Sequence, residues 1–500
     1  MSNDGKVIAK NVSVLMFSQF ITWGLALLLM VFLPRYLGAE NMGKLHLAGS
    51  LWVIVGMLVS FGMDTFIAKE IARDHEKTSE LFGTTLVVRT LLYVLGFGGL
   101  ALYAYLVKYP TDTIYVILIV GVANYFTQIG RACYAALQGL ERMEYISLAD
   151  IVSKFFNTAV SIIMLYLGAS VFMIAVVGIG TALIYSAVQM YYLNKMRPIR
   201  PKFSMSLASK LMRSSFPYFL TSISQTVYVT VDIVIISLII RQEAIIGWYS
   251  VVDQLFGTLL FVPAVFVKAV FPALSRTFAN DPNGLPKMMR RSFNLMLLIS
   301  VPIGFGLLAV STNLVTLLFG EEFVNSGPIL AIYGLVIIFT YQNTLLGQFL
   351  VSTDRPNSLT GIMVAASAII FVLHSILIPW TQNVFGNGGI GGATAFVFTE
   401  CFIMVASLRL LPKGSLDRSN FYAAIKVLVA GGIMVAVTWY FRDMFIAIPI
   451  MIGAAVYGSL VLLFRLIPKD EMDMFKGLVS DATHKLRQRR IRTAEVAGDN

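Results

Sequence analysis

Stretches of about twenty apolar residues recur along this chain, and no other feature limits its fold as much. Fourteen of them lie near 12–33, 44–65, 82–107, 113–137, 146–167, 169–193, 214–240, 244–267, 292–318, 327–352, 358–380, 388–411, 421–441 and 445–467. In a lipid interior every backbone donor and acceptor must be satisfied within the protein, and runs of this length do so as helices. The sequence therefore predicts an all-α membrane protein with about 14 transmembrane helices. Hydrophobic residues make up 57% of the 500 residues and charged ones 13%. A soluble domain carries roughly twice that charged share.

The net charge of +11 raises a nucleic-acid reading, which the placement of the charges excludes. With the N-terminus inside and charges at span ends counted with the adjoining segment, the cytoplasmic side holds 30 of the lysines and arginines and the outside 5, while three lie deeper within spans. That asymmetry is the signature of topology. It places both termini in the cytoplasm and the chain in the cell (inner or plasma) membrane as a multi-pass protein. The first apolar run is long enough to span and has no small-residue cleavage site, so a cleavable signal peptide is not expected. The basic tail, 468–500, spaces Met472, Phe475, Val479, Ala482 and Leu486 at three- and four-residue steps, which fits a short helix on the anionic inner leaflet.

Cys133 and Cys401 both sit in apolar segments and read as small packers. The four histidines are scattered, and neither a zinc-protease, a phosphate-loop nor a nucleophile-elbow motif occurs. No metal, cofactor or catalytic residue is expected, and the reading is not an enzyme.

The chain carries a weak internal repeat. Phe66-Ile-Ala-Lys-Glu-Ile-Ala-Arg73 and Ala269-Val-Phe-Pro-Ala-Leu-Ser-Arg276 close the second and eighth spans at an offset of 203, which also relates Glu40 to Glu243. Phe126-Thr127, Leu137 and Arg142 match Phe339-Thr340, Leu350 and Arg355 at an offset of 213. This divides the chain into an N-lobe of six spans (12–193), a basic cytoplasmic linker (194–213), a C-lobe of six spans (214–411), an added pair of spans (421–467) and the tail. Two pseudo-symmetric six-helix lobes with the same orientation form a parallel repeat, and transporters built this way bind substrate between the halves and alternate access by rocking. Pro217, Pro263, Pro302 and Pro379 lie in or at spans and are candidate kinks.

An ionisable residue inside a span is costly and points to function. Arg89, Arg131 and Lys154 lie on spans 3, 4 and 5, each seven or eight residues from the cytoplasmic end. At 1.5 Å per residue that is roughly 10 Å deep. The C-lobe positions equivalent to Arg131 and Lys154 are Thr344 and Ser367, so the feature belongs to one lobe. These three cations are candidate substrate-binding residues for an anionic head group; arginine suits phosphate through its planar fork. Asp64 and Asp150 lie nearer the same surface as partial counter-ions, and snorkelling of the long side chains is the plainer alternative. In the C-lobe, Asp232, Asp253, His374, Thr394 and Glu400 are candidate ion-coupling residues for Na+ or H+, against the plainer role of interhelical hydrogen bonding.

Four stretches carry a family resemblance. They are Leu33-Pro-Arg-Tyr-Leu-Gly-Ala-Glu40-Asn-Met-Gly43, Ala136-Leu-Gln-Gly139-Leu-Glu-Arg142, Gly320-Glu-Glu-Phe323 and Gly389-Ile-Gly-Gly392-Ala-Thr-Ala395 with Thr399-Glu400. In this order the chain resembles the oligosaccharide flippases, the polysaccharide-transporter branch of the multidrug/oligosaccharidyl-lipid/polysaccharide exporter superfamily, over residues 10–410. The resemblance implies a V-shaped bundle that moves polyprenyl phosphate- or pyrophosphate-linked oligosaccharide from the inner to the outer leaflet. It implies membrane lipids and the lipid-linked oligosaccharide as partners, and a monomer. The alternatives are a drug/cation antiporter of the same superfamily, for which an acidic cavity would be expected, and a lipid-linked peptidoglycan-precursor flippase, which the added pair of spans also resembles.

Overall fold

A computed structural model describes residues 3–466 apart from 197, 199–201, 281–283 and 413. The tail helix expected over 468–500, with Arg197 and Arg200 of the linker, lies outside the described residues. Among the described residues all regular structure is helical. The helices are α1 (Asn3–Ser60), α2 (Met63–Arg73), α3 (Thr78–Val107), α4 (Thr111–Gly139), α5 (Met143–Tyr166), α6 (Val171–Met196), α7 (Met205–Ile239) and α8 (Glu243–Leu259). They continue with α9 (Phe261–Asn280), α10 (Leu285–Phe319), α11 (Ser326–Ser352), α12 (Pro356–Phe385), α13 (Gly388–Arg409), α14 (Arg418–Tyr440) and α15 (Ala447–Leu463). Among the described residues eleven helices are long and apolar enough to cross a membrane, which makes this a multi-pass membrane protein. One of them, Ser18–Ser60, has 43 residues. Its length of about 65 Å is more than twice the thickness of a hydrocarbon core. The expected fourteen crossings require it to hold two and the shorter apolar stretches Thr226–Ile239 and Ala447–Leu463 to cross as well.

Local chemistry explains the breaks. Gly38 interrupts α1 at φ 75°, a left-handed conformation that glycine alone adopts without cost. Pro263, in the first turn of α9, has no N–H for the carbonyl four residues earlier. That carbonyl belongs to Leu259, the last residue of α8, and the Tyr341 hydroxyl donates to it at 2.7 Å. One expected span is thus two helices with the orphan acceptor satisfied from α11.

α1 packs against α4 and α5, and α4 and α5 pack on α6; further along the chain α10 packs on α11, and α13 on both α11 and α12. α7 departs from this grouping. Its first half buries Leu211 among Met63, Ile67, Phe82 and Ala136 of α2, α3 and α4. Phe219 stacks on Phe61 with ring centroids 4.2 Å apart. Its second half packs with α12 and α8.

At the end expected to face outside, α1 and α8 cross closely. A Cβ on Gly43 would lie 1.8 Å from the Glu243 carbonyl oxygen, and one on Gly247 would lie 1.9 Å from that of Ala39. An offset of 204 (39 to 243, 43 to 247) turns each contact into the other. The repeat is therefore visible in the crossing, one residue out of register with the sequence offset. Around it, Arg35 Nη2 donates to the Leu317 carbonyl at 3.1 Å, the Ala39 amide to Glu322 Oε2 at 3.1 Å, and Thr113 to Glu243 Oε1 at 2.8 Å.

The last two helices dock on α10. The Tyr457 hydroxyl donates to the Leu298 carbonyl at 3.0 Å, and Gly431 admits the Phe305 ring. Asp417 starts α14 with a capping box and pairs with Arg290. The Ser419 side chain and the Arg290 guanidinium together hold its carboxyl down at about 2. A depressed pKa stabilises above the unfolded value and the effect is lost as pH falls through the folded one. The protection factor of the amides at the start of α14 is thus expected to stay constant down to about pH 4 and to fall between there and pH 2; Asp417→Ala should show the lower protection already at neutral pH.

Candidate functional site

The three first-lobe cations occupy different environments. Arg89 is 2% exposed. Its Nη2 donates to Asp64 Oδ1 and its Nη1 to the Gln128 carbonyl at 3.1 Å. Asp64 reaches it because Gly62, at φ 72°, turns the chain into α2 and puts Asp64 in that helix's first turn. Gly62 is also fixed by proximity, since a Cβ there would lie 2.7 Å from the backbone of α7 at Ser215 and Phe219.

Arg131 shares the same carboxylate, with Nε 3.4 Å from Asp64 Oδ2, yet its side chain is 50% exposed. It lines a cavity of about 380 Å³ with Asp64, Thr65, Tyr134, Gln138 and Tyr185. Gly130 makes room for that wall: a Cβ there would meet the Tyr185 ring at 2.4 Å. Lys154 is exposed one turn from Asp150 on α5, close enough for its charge to act on that carboxylate. Neither Arg89 nor Lys154 lines the cavity. The site is thus a mixed constellation of three cations and two carboxylates, with one guanidinium locked, one half-free and one lysine at the margin.

The second-lobe candidates form two hydrogen-bonded groups. In the first, Asp232 is buried, Tyr249 donates to its Oδ2 at 2.7 Å, and Tyr333 reaches the Tyr249 hydroxyl at 2.8 Å. Asp253 is half-buried and opens on a cavity of about 350 Å³. In the second, Glu400 takes the Tyr228 hydroxyl on Oε1 at 2.7 Å and Asn343 Nδ2 on Oε2 at 2.6 Å. The Phe396 ring stands between the groups, its centroid 5.4 Å from Tyr228 and 6.1 Å from Tyr333. His374 Nε2 is 3.3 Å from the Gly392 carbonyl oxygen, and its Nδ1 has no partner among the described residues. Thr394 donates to Ile390 of its own helix, not to Glu400. No group of three His, Cys, Asp or Glu among the described residues is placed to hold a metal ion.

Residues 8–278, more than half of the chain, match the family described as Polysaccharide biosynthesis protein. The chain belongs to that family. Among curated relatives, the probable low-salt glycan biosynthesis flippase Agl15 of Haloferax volcanii is 23% identical over 75% of this chain and 78% of its own length. The putative O-antigen transporter of Shigella dysenteriae is 20% identical over 80% of this chain and 99% of its own. Among solved structures, the lipid II flippase MurJ in an inward closed conformation superposes with a TM-score of 0.71 at 14% identity, covering 90% of this chain and 98% of that one. An inward-facing multidrug resistance MATE transporter superposes at 0.61 and 13% identity, covering 83% and 94%. These structural likenesses establish the fold of this polysaccharide biosynthesis family member.

Within that fold, sequence reasoning missed the phenols and the amide that hold the carboxylates: Tyr228, Tyr249, Tyr333 and Asn343. A signal was present. Tyr228 precedes Asp232, Tyr249 precedes Asp253 and Phe396 precedes Glu400, each by four residues, so each pair shares one helix face. The spacing alone misassigns the bonds, because Tyr228 and Tyr249 each serve a carboxylate on another helix.

Proposed function

We propose that this protein flips a polyprenyl phosphate- or pyrophosphate-linked oligosaccharide from the inner to the outer leaflet of the cell membrane by alternating access. The observation that carries the reading is Arg131: half its side chain faces a cavity of about 380 Å³ while its counter-ion, Asp64, is shared with Arg89. A carboxylate divided between two guanidinium groups leaves the more exposed one under-neutralised, and a phosphate can take its place with two parallel hydrogen bonds. Arg89 keeps Asp64 in position; Lys154 adds a point charge where the head group enters. The names of the curated relatives support the cargo class.

The rest of the reading completes this picture. The chain works as a monomer with fourteen crossings and both termini in the cytoplasm. Residues 12–193 and 214–411 form the two rocking lobes, and 421–467 ride on the second. Asp232, Asp253, His374, Thr394 and Glu400 belong to an ion-coupling region in the second lobe. The reciprocal α1–α8 crossing supports two lobes related by a near two-fold axis.

The test is a proteoliposome assay with a fluorescent polyprenyl pyrophosphate-linked oligosaccharide. The Arg89, Arg131 and Lys154 triple alanine variant should not flip it; full activity at normal expression would refute the site. Varying Na+ and H+ gradients separately reads the coupling.

A further inference from the structure

The cavity that Arg131 lines is larger than its charge accounts for. Its volume of about 380 Å³ falls in the range of sites that enclose whole small molecules, roughly 300–1,000 Å³. A single phosphate fills a small part of that. Three further polar side chains, Thr65, Tyr134 and Gln138, line the same space. Among the described residues none of the three has a hydrogen-bond partner for its side chain within the protein. Other hydroxyls on the helices around them are spent locally. Thr127 donates to the Ala123 carbonyl at 3.1 Å, and Thr181 to that of Val177 at 2.9 Å.

The three free groups share one property. A hydroxyl, a phenol and a carboxamide each both donate and accept. Phosphate oxygens only accept, so a second phosphate would leave the Gln138 carbonyl oxygen unserved and would crowd the Asp64 carboxylate in the same cavity. A hydrocarbon tail serves none of them. The matching ligand is compact and carries groups that both give and take protons. A sugar ring has such hydroxyls around its rim, and its C–H faces can lie against an aromatic side chain.

The placement agrees. Arg131, Tyr134 and Gln138 follow at i, i+3 and i+7 on α4 and so form one stripe. It is about 10 Å long. Arg131 stands at its deep end and Gln138 in the last turn of the helix. α2 supplies Thr65, next to Asp64, and α6 supplies Tyr185. A Cβ on Gly130 would meet the Tyr185 ring at 2.4 Å, so that ring is seated against α4 beside Arg131.

We propose that Thr65, Tyr134, Gln138 and Tyr185 form a subsite for the sugar ring bonded directly to the phosphate. It rests on the flippase reading given above and names the part of the cargo that these residues read. The nearest approach of Arg131 to Asp64 is through Nε at 3.4 Å, which leaves its Nη groups for the phosphate oxygens. The ring then lies along the stripe toward Gln138, with Tyr185 as its wall. Arg131 supplies affinity common to every phosphate-linked lipid. The neutral side chains discriminate a loaded carrier from a bare one.

Microscale thermophoresis on the full-length protein in lipid nanodiscs tests this with defined probes. They are polyprenyl pyrophosphate alone and the same lipid carrying a single glucose, galactose or N-acetylglucosamine. At least one sugar-bearing probe should bind the wild type more tightly than the bare lipid. Gln138→Ala and Tyr134→Phe should each cut that ratio of affinities about two- to tenfold, the effect of one lost neutral hydrogen bond. Arg131→Ala should weaken every probe and keep the ratio. Gln138 is exposed and Tyr134→Phe keeps its ring, so both variants retain the fold. Equal wild-type affinity for all the probes, or a ratio unchanged in both variants, would overturn the subsite and leave the flippase reading standing. A wild type that binds none of the probes would overturn that reading, and the subsite with it.

Discussion

Arg131→Ala is expected to slow head-group flipping by about ten- to a hundredfold and to leave thermal unfolding unchanged. Its guanidinium is half in water, so removing it strands little, while hydrogen bonds to a charged group contribute about 1.5–3 kcal/mol and each 1.4 kcal/mol is a factor of about ten. Arg89→Ala should behave differently. That side chain is buried against Asp64 and the Gln128 carbonyl. Its loss leaves a carboxylate and a carbonyl without their donor, and breaking such a pair costs about 3 kcal/mol at the lower end of the range for buried ion pairs; the lower end applies because Asp64 keeps some contact with water. Flipping and stability should therefore fall together. A thermal melt beside the transport assay separates the variants. Equal destabilisation in both would show that Arg131 is structural.

The second large effect concerns the α1–α8 crossing. Gly43→Ala would set a methyl group 1.8 Å from the backbone oxygen of Glu243, and Gly247→Ala does the same to Ala39. Backbone cannot yield as a flexible side chain does, so the outer ends must separate. Overpacking costs about 1–3 kcal/mol, all of it charged to the outward-closed state. That shifts the balance of states about ten- to a hundredfold toward open. A cysteine at Ser237, which now bonds Tyr109 at 2.8 Å beneath the crossing, should become reactive to an impermeant maleimide from outside. Unchanged labelling in both variants would show that the crossing is not a closure.

Periodic hydrophobicity made the helices legible, because each apolar run is long and ends at charges or glycine. The break at Gly38 and the division of α8 from α9 also have signals, a glycine in an outside loop and Pro263. Arg89, Arg131 and Lys154 stood out as charges in apolar runs, but nothing in their spacing tells that Asp64 holds two of them. That depends on Gly62 turning α2 toward α3. The second-lobe carboxylates were equally visible. Their hydrogen-bond partners were not, since Tyr249 reaches Asp232, and Tyr228 and Asn343 reach Glu400, only through packing between separate helices. The shift from 203 to 204 in the repeat shows the same limit. Matching residue types finds a repeat, and only contact geometry fixes its register.

α7 is anchored by its first half to α2 and α3 and by its second half to α12 and α8, with Pro217 in its first half. A beam clamped to two bodies cannot let them turn without flexing. Under the alternating-access reading proposed above it would act as a leaf spring, loaded by rotation in one direction and released on the return stroke. Stiffening that spring, for example with Pro217→Ala, should slow both strokes without altering either binding site.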